Sequence, residues 1–312
     1  MPRCSHKAGV GSMRARRGYH LPMNAELPGL HQRFLLEAAD IRGEAVHLGP
    51  LWRQIASRRP YPKPLLALMG EFASLAVIIA AGLKAPGRAV LQVMGEGPVS
   101  LAIADCTQDL HLRAMVKAAP ESAPADTATV QYLLANGRLA LTLENHATGR
   151  HFQSIVPLEG TTLAECFERY FDLSEQVPTH VWVQSSEEAV TALVLQKLPG
   201  ADRKDPNAWA RVQQQAAQCA PQVLAAAVPG EAGLAGLVTA LFPDDDIRIY
   251  PAREVADGCS RSEGKVIAML RGLGRAEVDA TLDAEGVIAV HDELCNQEYQ
   301  FTREDVARIF PD

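Results

Sequence analysis

The stretch TLAECFERYFDLSEQVPTH, residues 162–180, carries the clearest pattern of secondary structure in this chain. Thr162 and Glu165 have the spacing of a capping box, in which a hydroxyl and a carboxylate satisfy backbone N–H groups in the first turn of a helix. Apolar side chains then recur along one helical stripe, at Leu163, Cys166, Phe167, Tyr170 and Phe171. The segment therefore predicts a helix with one face on a core, followed by a strand at 180–184.

Short segments of strand character lie on both sides of this helix. They are found at 45–48, 89–94, 99–104, 110–116, 138–143, 152–158, 180–184 and 189–195. The connections are too short for helical crossovers, so most strands should pair in an antiparallel sheet. The segment 65–83 is apolar on nearly all sides, which predicts a buried central helix rather than a membrane span. We therefore expect an α+β fold with a mainly antiparallel sheet and packed helices.

Changes in composition divide the chain of 312 residues into four parts. We expect a disordered extension at 1–28 and an α+β core domain at 29–199. A segment rich in Ala, Gln and Pro, at 200–249, is a candidate helical linker. The C-terminal part, 250–312, is too small to build much core without help from a metal, a crosslink or a neighbour.

The candidate linker predicts two short helices with thin apolar faces. Trp209 and Val212 lie on the first, and the second carries Leu234, Leu237 and Leu241. Two glycines inside the second helix each cost about 1 kcal/mol relative to alanine, so the helices depend on docking. Composition alone favours a hairpin packed permanently on the core over a linker that detaches.

Charge and cysteine content exclude several classes of protein. A formal net charge of −7 and a pI near 5.7, with no basic stripe beyond the N-terminus, argue against a nucleic-acid partner. The six cysteines are too dispersed for a secreted disulfide framework, which favours the reducing cytoplasm. The basic residues 1–22 lack the apolar core of a secretory signal. We interpret them as a disordered extension or as the product of a start assigned upstream of Met23, with a mitochondrial presequence as the minor alternative.

Two pairs of candidate metal ligands lie in the C-terminal part. Asp257 and Cys259 form one pair, and Asp292 and Cys295 form the other, on either side of a helix predicted at 262–273. Two thiolates and two carboxylates carry the same formal charge as the four thiolates of a structural zinc site, although oxygen is a harder donor. His291 is a reserve nitrogen ligand. The alternative interpretation is two ordinary turns with buried, unreactive cysteines.

No enzyme class is indicated by the motifs of the chain. Gly95-Glu96-Gly97-Pro98 lies between two predicted strands and lacks the Lys-Ser/Thr of a phosphate loop, so it predicts a tight turn and no nucleotide site. The sequence has no nucleophile elbow, no Cys-Xaa-Xaa-Cys and no His-Glu-Xaa-Xaa-His. We therefore expect a protein that is not an enzyme.

Several motifs, taken together, resemble the 33 kDa redox-regulated heat-shock chaperonin family. They are QVMGEGP at 92–98, LEG at 158–160, SEQVPT at 174–179 and YQF at 299–301, with FLLE at 34–37 near the start. Their order and spacing agree with the family from about residue 30 to the end of the chain. The resemblance implies an ATP-independent holdase that binds unfolding client proteins and prevents their aggregation, acting as a homodimer when active.

The resemblance also implies a zinc-based redox switch, from which this chain departs. Family members hold zinc on four cysteines, and oxidation to two neighbour disulfides releases the metal, unfolds the linker and exposes apolar surface. Here aspartates stand at 257 and 292, so neither neighbour disulfide can form and zinc would need a mixed site of two aspartates and two cysteines, or would be lost. A bridge between Cys259 and Cys295 would instead restrict the unfolded chain by roughly 3 to 4 kcal/mol and staple the small domain.

The resemblance assigns roles to residues named above. Cys259 and Cys295 become the redox-switch residues, and client binding falls to the apolar residues of the linker, Trp209, Val212, Leu234, Leu237 and Leu241. A second hypothesis is a zinc or thiol sensor that acts through a partner and binds no clients.

Overall fold

The computed structural model describes residues 29–119, 124–226, 233–259 and 263–311. The predicted extension at 1–28 lies outside these residues, as does Ser262, the first residue of the predicted helix at 262–273.

One large sheet of eleven strands organises the molecule. Its strands are β1 (Gly29–Leu36), β2 (Ile41–His47), β3 (Gly87–Met94), β4 (Val99–Thr107), β5 (His111–Ala118), β6 (Arg138–Asn145), β7 (Arg150–Val156), β8 (Thr179–Ser185), β9 (Val190–Lys197), β10 (Ile247–Ile249) and β11 (Arg253–Asp257). Their order is β7-β6-β3-β4-β5-β11-β1-β2-β9-β8, with β10 also paired to β1. Only the β5–β11 pair is parallel within the described residues, so the prediction of a mainly antiparallel sheet is confirmed.

A buried helix covers one face of this sheet. Helix α2 (Lys63–Ala81) follows α1 (Gly49–Ala56) and packs against β3, β4 and β5. In the described part of the chain it is the one helix long and apolar enough to cross a membrane, but 78% of that window is buried in the protein. It is the predicted central helix. The same face carries α3 (Val130–Leu134) and α4 (Leu163–Ser174).

The cap of α4 differs in part from the predicted capping box. The Thr162 hydroxyl accepts a hydrogen bond from the backbone N–H of Glu165 at 3.2 Å, as expected. The Glu165 carboxylate, however, accepts its close hydrogen bonds from the backbone and hydroxyl of Thr161. The N–H groups of Leu163 and Ala164 donate instead to Glu71 of the central helix, at 2.8 and 3.2 Å. A tertiary contact therefore completes this helix start.

A helical hairpin covers the opposite face of the sheet beside β1, β2 and β9. It consists of α6 (Ala208–Ala225) and α7 (Gly233–Leu241), preceded by the short α5 (Ala201–Lys204). The buried residues of α6 recur every fourth position, at Ala208, Val212, Ala216, Ala220 and Leu224. Because this spacing keeps one face of the helix on the sheet, the hairpin is docked rather than free.

The C-terminal residues form a small unit with its own apolar cluster. It contains α8 (Glu263–Leu273), α9 (Arg275–Glu285), the hairpin β12 (Ile288–Asp292) and β13 (Gln297–Phe301), and α10 (Arg303–Ile309). Strand β11 does not belong to it, because β11 lies between β5 and β1 in the large sheet. The domain boundary at 249/250 stays a prediction, with residues 253–257 packed in the core sheet.

Candidate functional site

Two turns in the C-terminal third of the chain present the predicted switch residues. Asp257 ends β11, and its Oδ1 accepts a hydrogen bond from the backbone N–H of Cys259 at 2.9 Å. Asp292 ends β12, and its Oδ1 accepts from the N–H of Cys295 at 3.1 Å. Each aspartate therefore orders the turn that carries its cysteine. Asp side chains commonly stabilise turns in this way, by accepting a hydrogen bond from a backbone N–H two or three residues later.

The two cysteines are joined by a disulfide. Their Cα atoms lie 5.4 Å apart, and 36 positions separate them along the chain. Cys259 is 6% exposed and Cys295 is 5% exposed. The Gln297 side chain donates to the carbonyl of Cys259 at 3.0 Å. The bond therefore links the end of a core strand to the small C-terminal unit.

Arg58, in the segment between α1 and α2, contacts both turns. Its guanidinium Nη2 lies 2.6 Å from Asp257 Oδ2, and its carbonyl accepts a hydrogen bond from the Asn296 side chain at 2.6 Å. Asp257 Oδ2 also accepts from Gln54 at 2.9 Å. The Arg58 and Asp257 side chains are 12% and 20% exposed, so this ion pair is mostly removed from water. Positive charge from the core thus neutralises the aspartate beside Cys259.

The groups predicted as zinc ligands do not fit zinc in this form of the protein. Within the described ranges, no three His, Cys, Asp or Glu side chains are grouped so that they could hold a metal ion. The sulfurs of Cys259 and Cys295 are bonded to each other, and a disulfide sulfur is not a thiolate ligand. Asp257 is paired with Arg58. The structure therefore brings the two cysteines together but leaves the two aspartates bonded to backbone and arginine.

Two further cysteines, Cys106 and Cys166, lie in the core and are poor candidates for redox chemistry. Burial raises the pKa of the Cys106 thiol, and burial is also the main cause of a raised pKa at Cys166. A raised pKa lowers the fraction of reactive thiolate. Thiol chemistry in the core is therefore disfavoured relative to the Cys259–Cys295 pair.

The predicted client-binding residues all lie on the docked hairpin. Four are buried against the sheet, namely Val212, Leu234, Leu237 and Leu241. The fifth, Trp209, stacks on His180 of the edge strand β8 with ring centroids 5.8 Å apart. In this structure the four aliphatic side chains face the core and are not available to a partner, whereas Trp209 is only partly buried.

Two features of the structure were not predicted from the sequence. They are the sheet residues that lie beneath the helical hairpin and the contact between Arg58 and Asp257. The sheet residues are Phe34, Leu36, Ile41, Ala45, Leu193 and Leu195. The continuous apolar runs at 34–36 and 193–195 were the signal that could have shown strands buried on both faces. No local signal connects Arg58 with Asp257, because 199 positions separate them.

The fold and the site define a class of protein: an α+β protein with an apolar sheet face beneath a helical hairpin and a disulfide at the end of a core strand. Residues 30–302 match the family described as Hsp33 protein, and the chain belongs to that family.

Comparisons with individual proteins agree with this assignment. The "33 kDa chaperonin" of Pseudomonas aeruginosa (strain LESB58) is 34% identical over 283 residues, covering 89% of this chain and 93% of the relative. That of Methylobacillus flagellatus is 32% identical over 280 residues with the same coverage. A crystal structure of the 33 kDa chaperonin of Thermotoga maritima has a TM-score of 0.65 and covers 90% of this chain and 97% of that chain, at 19% identity, which supports the fold.

These relationships make the chain a holdase chaperone of the stress response, in a family of chaperones rather than enzymes. The second hypothesis, a zinc or thiol sensor without client binding, is not favoured.

Proposed function

We propose that this chain is an ATP-independent holdase whose client-binding surface is the sheet face beneath the α6–α7 hairpin, together with the inner faces of the two helices. The apolar layer between them carries the proposal. The sheet contributes Phe34, Leu36, Ile41, Ala45, Leu193 and Leu195. The helices contribute Ala208, Val212, Ala216, Ala220, Leu224, Leu234, Leu237, Val238 and Leu241. If the hairpin detached, both sides would be exposed at once, and exposed apolar patches bind similar patches on unfolding proteins.

The hairpin is built weakly enough to detach. Pro221 lies inside α6, where it removes a backbone hydrogen bond, and Asn207 makes no side-chain hydrogen bond at the start of that helix. Helix α7 contains Gly236, which costs about 1 kcal/mol relative to alanine in a helix interior, whereas Gly233 begins the helix at a φ of 52° that favours glycine. Most of the buried α6 positions are alanine, which buries little apolar area. Docking, rather than intrinsic helix stability, therefore keeps the hairpin folded.

Two contacts at the edges orient the docked hairpin. Arg211 donates both terminal nitrogens to Asp245, at 3.0 and 2.6 Å. Trp209 stacks on His180, whose Nδ1 lies 3.3 Å from Glu168. The Arg211 side chain is half exposed but the Asp245 side chain is only 6% exposed, so this bidentate ion pair is partly removed from water. Release of the hairpin would therefore have to break this ion pair as well as the apolar layer.

A matched pair of α6 variants tests the proposal. Ala216 is fully buried against the sheet, whereas the next residue, Ala217, is exposed. Ala216→Asp places a carboxylate in the apolar layer and should detach the hairpin, while Ala217→Asp should leave it docked. We expect Ala216→Asp to suppress the light scattering of a heat-unfolded client at a lower protein concentration than the wild type, and Ala217→Asp to match the wild type.

Amide hydrogen exchange separates hairpin release from general unfolding. Slow exchange in the central helix α2 shows that the core of the variant is intact. An Ala216→Asp protein with an intact core, a freely exchanging α6 and no gain in holdase activity would contradict the proposal. If Ala216→Asp unfolds the core, the milder Trp209→Ala variant, which removes the stack on His180 and part of the packing on the apolar layer, provides the same comparison.

The proposal includes the setting in which the protein acts. We place it in the cytoplasm and expect it to bind unfolded or misfolded clients without nucleotide, nucleic acid or membrane. We also expect a homodimer when the hairpin is detached, because the exposed face would be shared between two copies at high concentration. Molar mass from light scattering, for the wild type and Ala216→Asp, measures this directly.

A further inference from the structure

We propose that the outer edge of strand β7 is a strand-addition site for an extended segment of an unfolding protein, one that carries both apolar and acidic side chains. The inference rests on the proposed holdase function for the nature of the partner, and it adds a second contact surface. Strand β7 stands at one end of the strand order, whereas β8, beside the hairpin, stands at the other. The edge of β7 is therefore accessible while the hairpin is docked.

The backbone of β7 is paired on one side only. Its residues lie opposite those of β6, from Arg150 opposite Asn145 to Val156 opposite Leu139. Among the residues that the structure describes, none forms a hydrogen bond with the outward N–H and C=O groups of 151–155. A row of unpaired backbone groups of this kind is a template for another strand.

The opposite edge of the sheet is closed by the protein itself. Strand β8 follows Pro178, helix α4 packs along it, and the backbone N–H of Val181 donates to Glu168 of that helix at 2.7 Å. Proteins commonly protect their sheet edges with proline, lysine or a covering helix. Strand β7, with the sequence RHFQSIV at 150–156, contains neither proline nor lysine, and its first four residues are all exposed. One edge is thus protected and the other is open.

The open edge presents one exposed apolar side chain on each face. Phe152 is 59% exposed and lies on the same side of the strand as the buried Val156. Ile155 is 55% exposed and lies on the opposite side. Because neighbouring strands are about 4.8 Å apart, the side chains of an added strand would contact both residues. A partner with apolar side chains on both of its faces therefore fits this edge.

The charges beside the edge favour a partner that carries carboxylates. Arg150 begins β7 and Arg138 begins β6, and both are exposed. Within the described part of the chain, neither arginine has a carboxylate at ion-pair distance. Strand β7 has no acidic residue, so the same strand of a second copy could not supply one. Charge complementarity therefore assigns the edge to an acidic and apolar segment of another protein.

Backbone pairing would let this edge distinguish unfolding proteins from folded ones. The main chain of a folded protein is already paired, whereas an unfolded segment offers N–H and C=O groups along its length. Strand addition takes its affinity from these groups and accepts many side-chain sequences. The edge of β7 would thus give a first contact with clients before the hairpin is released.

The test uses the full-length protein and the peptide fluorescein-Val-Val-Glu-Glu-Val-Val, which as a strand has valine and glutamate on both faces. We expect fluorescence anisotropy to show saturable binding that weakens about three- to tenfold in Phe152→Thr/Ile155→Thr, because threonine keeps the strand but removes apolar contact area. Leu173→Thr is the matched control, since Leu173 is also exposed but lies on α4. The peptide Val-Val-Lys-Lys-Val-Val should bind more weakly than the glutamate peptide.

Methylation of the peptide backbone separates strand addition from ordinary apolar contact. The glutamate peptide with its inner amide nitrogens methylated keeps every side chain but loses the donors that pair with a strand. We expect its binding to be weaker by at least about tenfold, because several hydrogen bonds are lost together. Equal binding of the methylated peptide, or no saturable binding of the parent peptide, overturns the inference.

Hydrogen exchange locates the bound peptide on the protein. The peptide should slow the exchange of amides in 150–156 and leave those of 179–185, in β8, unchanged. Slowing that is confined to β8 or to the hairpin would overturn the inference.

Molar mass from light scattering tests a second copy as the occupant. A wild-type dimer that Phe152→Thr/Ile155→Thr converts to a monomer would assign the edge to a second copy and overturn the inference. If the protein suppresses the aggregation of no client, the proposed holdase function fails, and peptide binding at β7 still decides between the two outcomes given above.

Discussion

Arg58 and Asp257, 199 positions apart, form an ion pair with 2.6 Å between Nη2 and Oδ2 beside the Cys259–Cys295 disulfide. The resemblance to the family predicts a zinc ligand at position 257, and here that position binds an arginine of the core. The buried charge of Asp257 is thus neutralised by protein rather than by metal. One consequence is that the turn holding Cys259 can be ordered without an ion.

Removing this ion pair should destabilise the protein. In Arg58→Ala, Asp257 would keep its charge in a mostly buried place without a positive charge beside it, which we expect to cost about 1–3 kcal/mol of unfolding free energy. Urea denaturation followed by circular dichroism measures the change. Arg53→Ala is the control, because the Arg53–Glu188 pair is exposed and its atoms are 3.9 Å apart. Equal effects of the two substitutions would show that the Arg58–Asp257 pair has no special role.

Loss of the disulfide should lower thermal stability in a defined region. The crosslink spans 36 positions, and the loop-entropy relation gives roughly 3–4 kcal/mol for such a loop. Scanning calorimetry of the oxidised protein and of Cys259→Ser/Cys295→Ser should show a lower transition for α8 to α10 in the variant, with the core transition less affected. Cys106→Ser is the comparison, since Cys106 is buried outside the disulfide. A double variant as stable as the oxidised wild type would contradict the expectation.

Stability should also depend on the ionisation of Glu71. Burial raises the pKa of Glu71 from 4.5 to about 7, partly offset by hydrogen bonds from Leu163 and Ala164. Between these pH values the folded protein holds a proton that the unfolded chain has released, so stability falls as pH rises from about 4.5 to 7 and is then constant with respect to this group. Glu71→Gln, which can still accept both hydrogen bonds, should remove this slope and raise stability at pH 8 by about 1–3 kcal/mol.

Urea titrations across the same pH range measure the effect. Glu165→Gln provides a control of opposite sign, because hydrogen bonds from Thr161 lower the pKa of Glu165. The ionised Glu165 carboxylate therefore stabilises the folded protein at neutral pH, and this stabilisation is lost as the pH falls. An unchanged slope in Glu71→Gln would show that Glu71 does not titrate in this range.

Metal content should be low in both redox states. The oxidised protein should contain no zinc, because the two sulfurs are bonded to each other. After reduction the Asp257 carboxylate should stay paired with Arg58 and should therefore not bind the metal. Mass-spectrometric metal analysis should give well below one zinc per chain for the wild type, Asp257→Ala and Asp292→Ala alike. Stoichiometric zinc in the reduced wild type that disappears in both variants would instead support a mixed Asp and Cys site.

The central helix and most strands of the core could be predicted from local periodicity, but β1 and α1 were not predicted. The central helix was predicted at 65–83 and lies at Lys63–Ala81, and the strand predicted at 138–143 lies at Arg138–Asn145. Strands β10 and β11 were missed because they have only three and five residues and gain their stability from pairing with β1. A strand of three to five residues is too short to show a periodicity, so it cannot be predicted without knowing the strand with which it pairs.

The sequence alone determined the α+β class, the central helix, the α4 helix and the family, because spacing and local chemistry suffice for these. It also placed Cys259 and Cys295 as the only matched thiols. The tertiary structure decided how these parts meet: Glu71 completes α4, the hairpin covers the face of β1, and Arg58 takes the charge of Asp257. Each of these depends on residues brought together over about a hundred positions or more, and such proximity follows from the packing of the whole chain rather than from any local pattern.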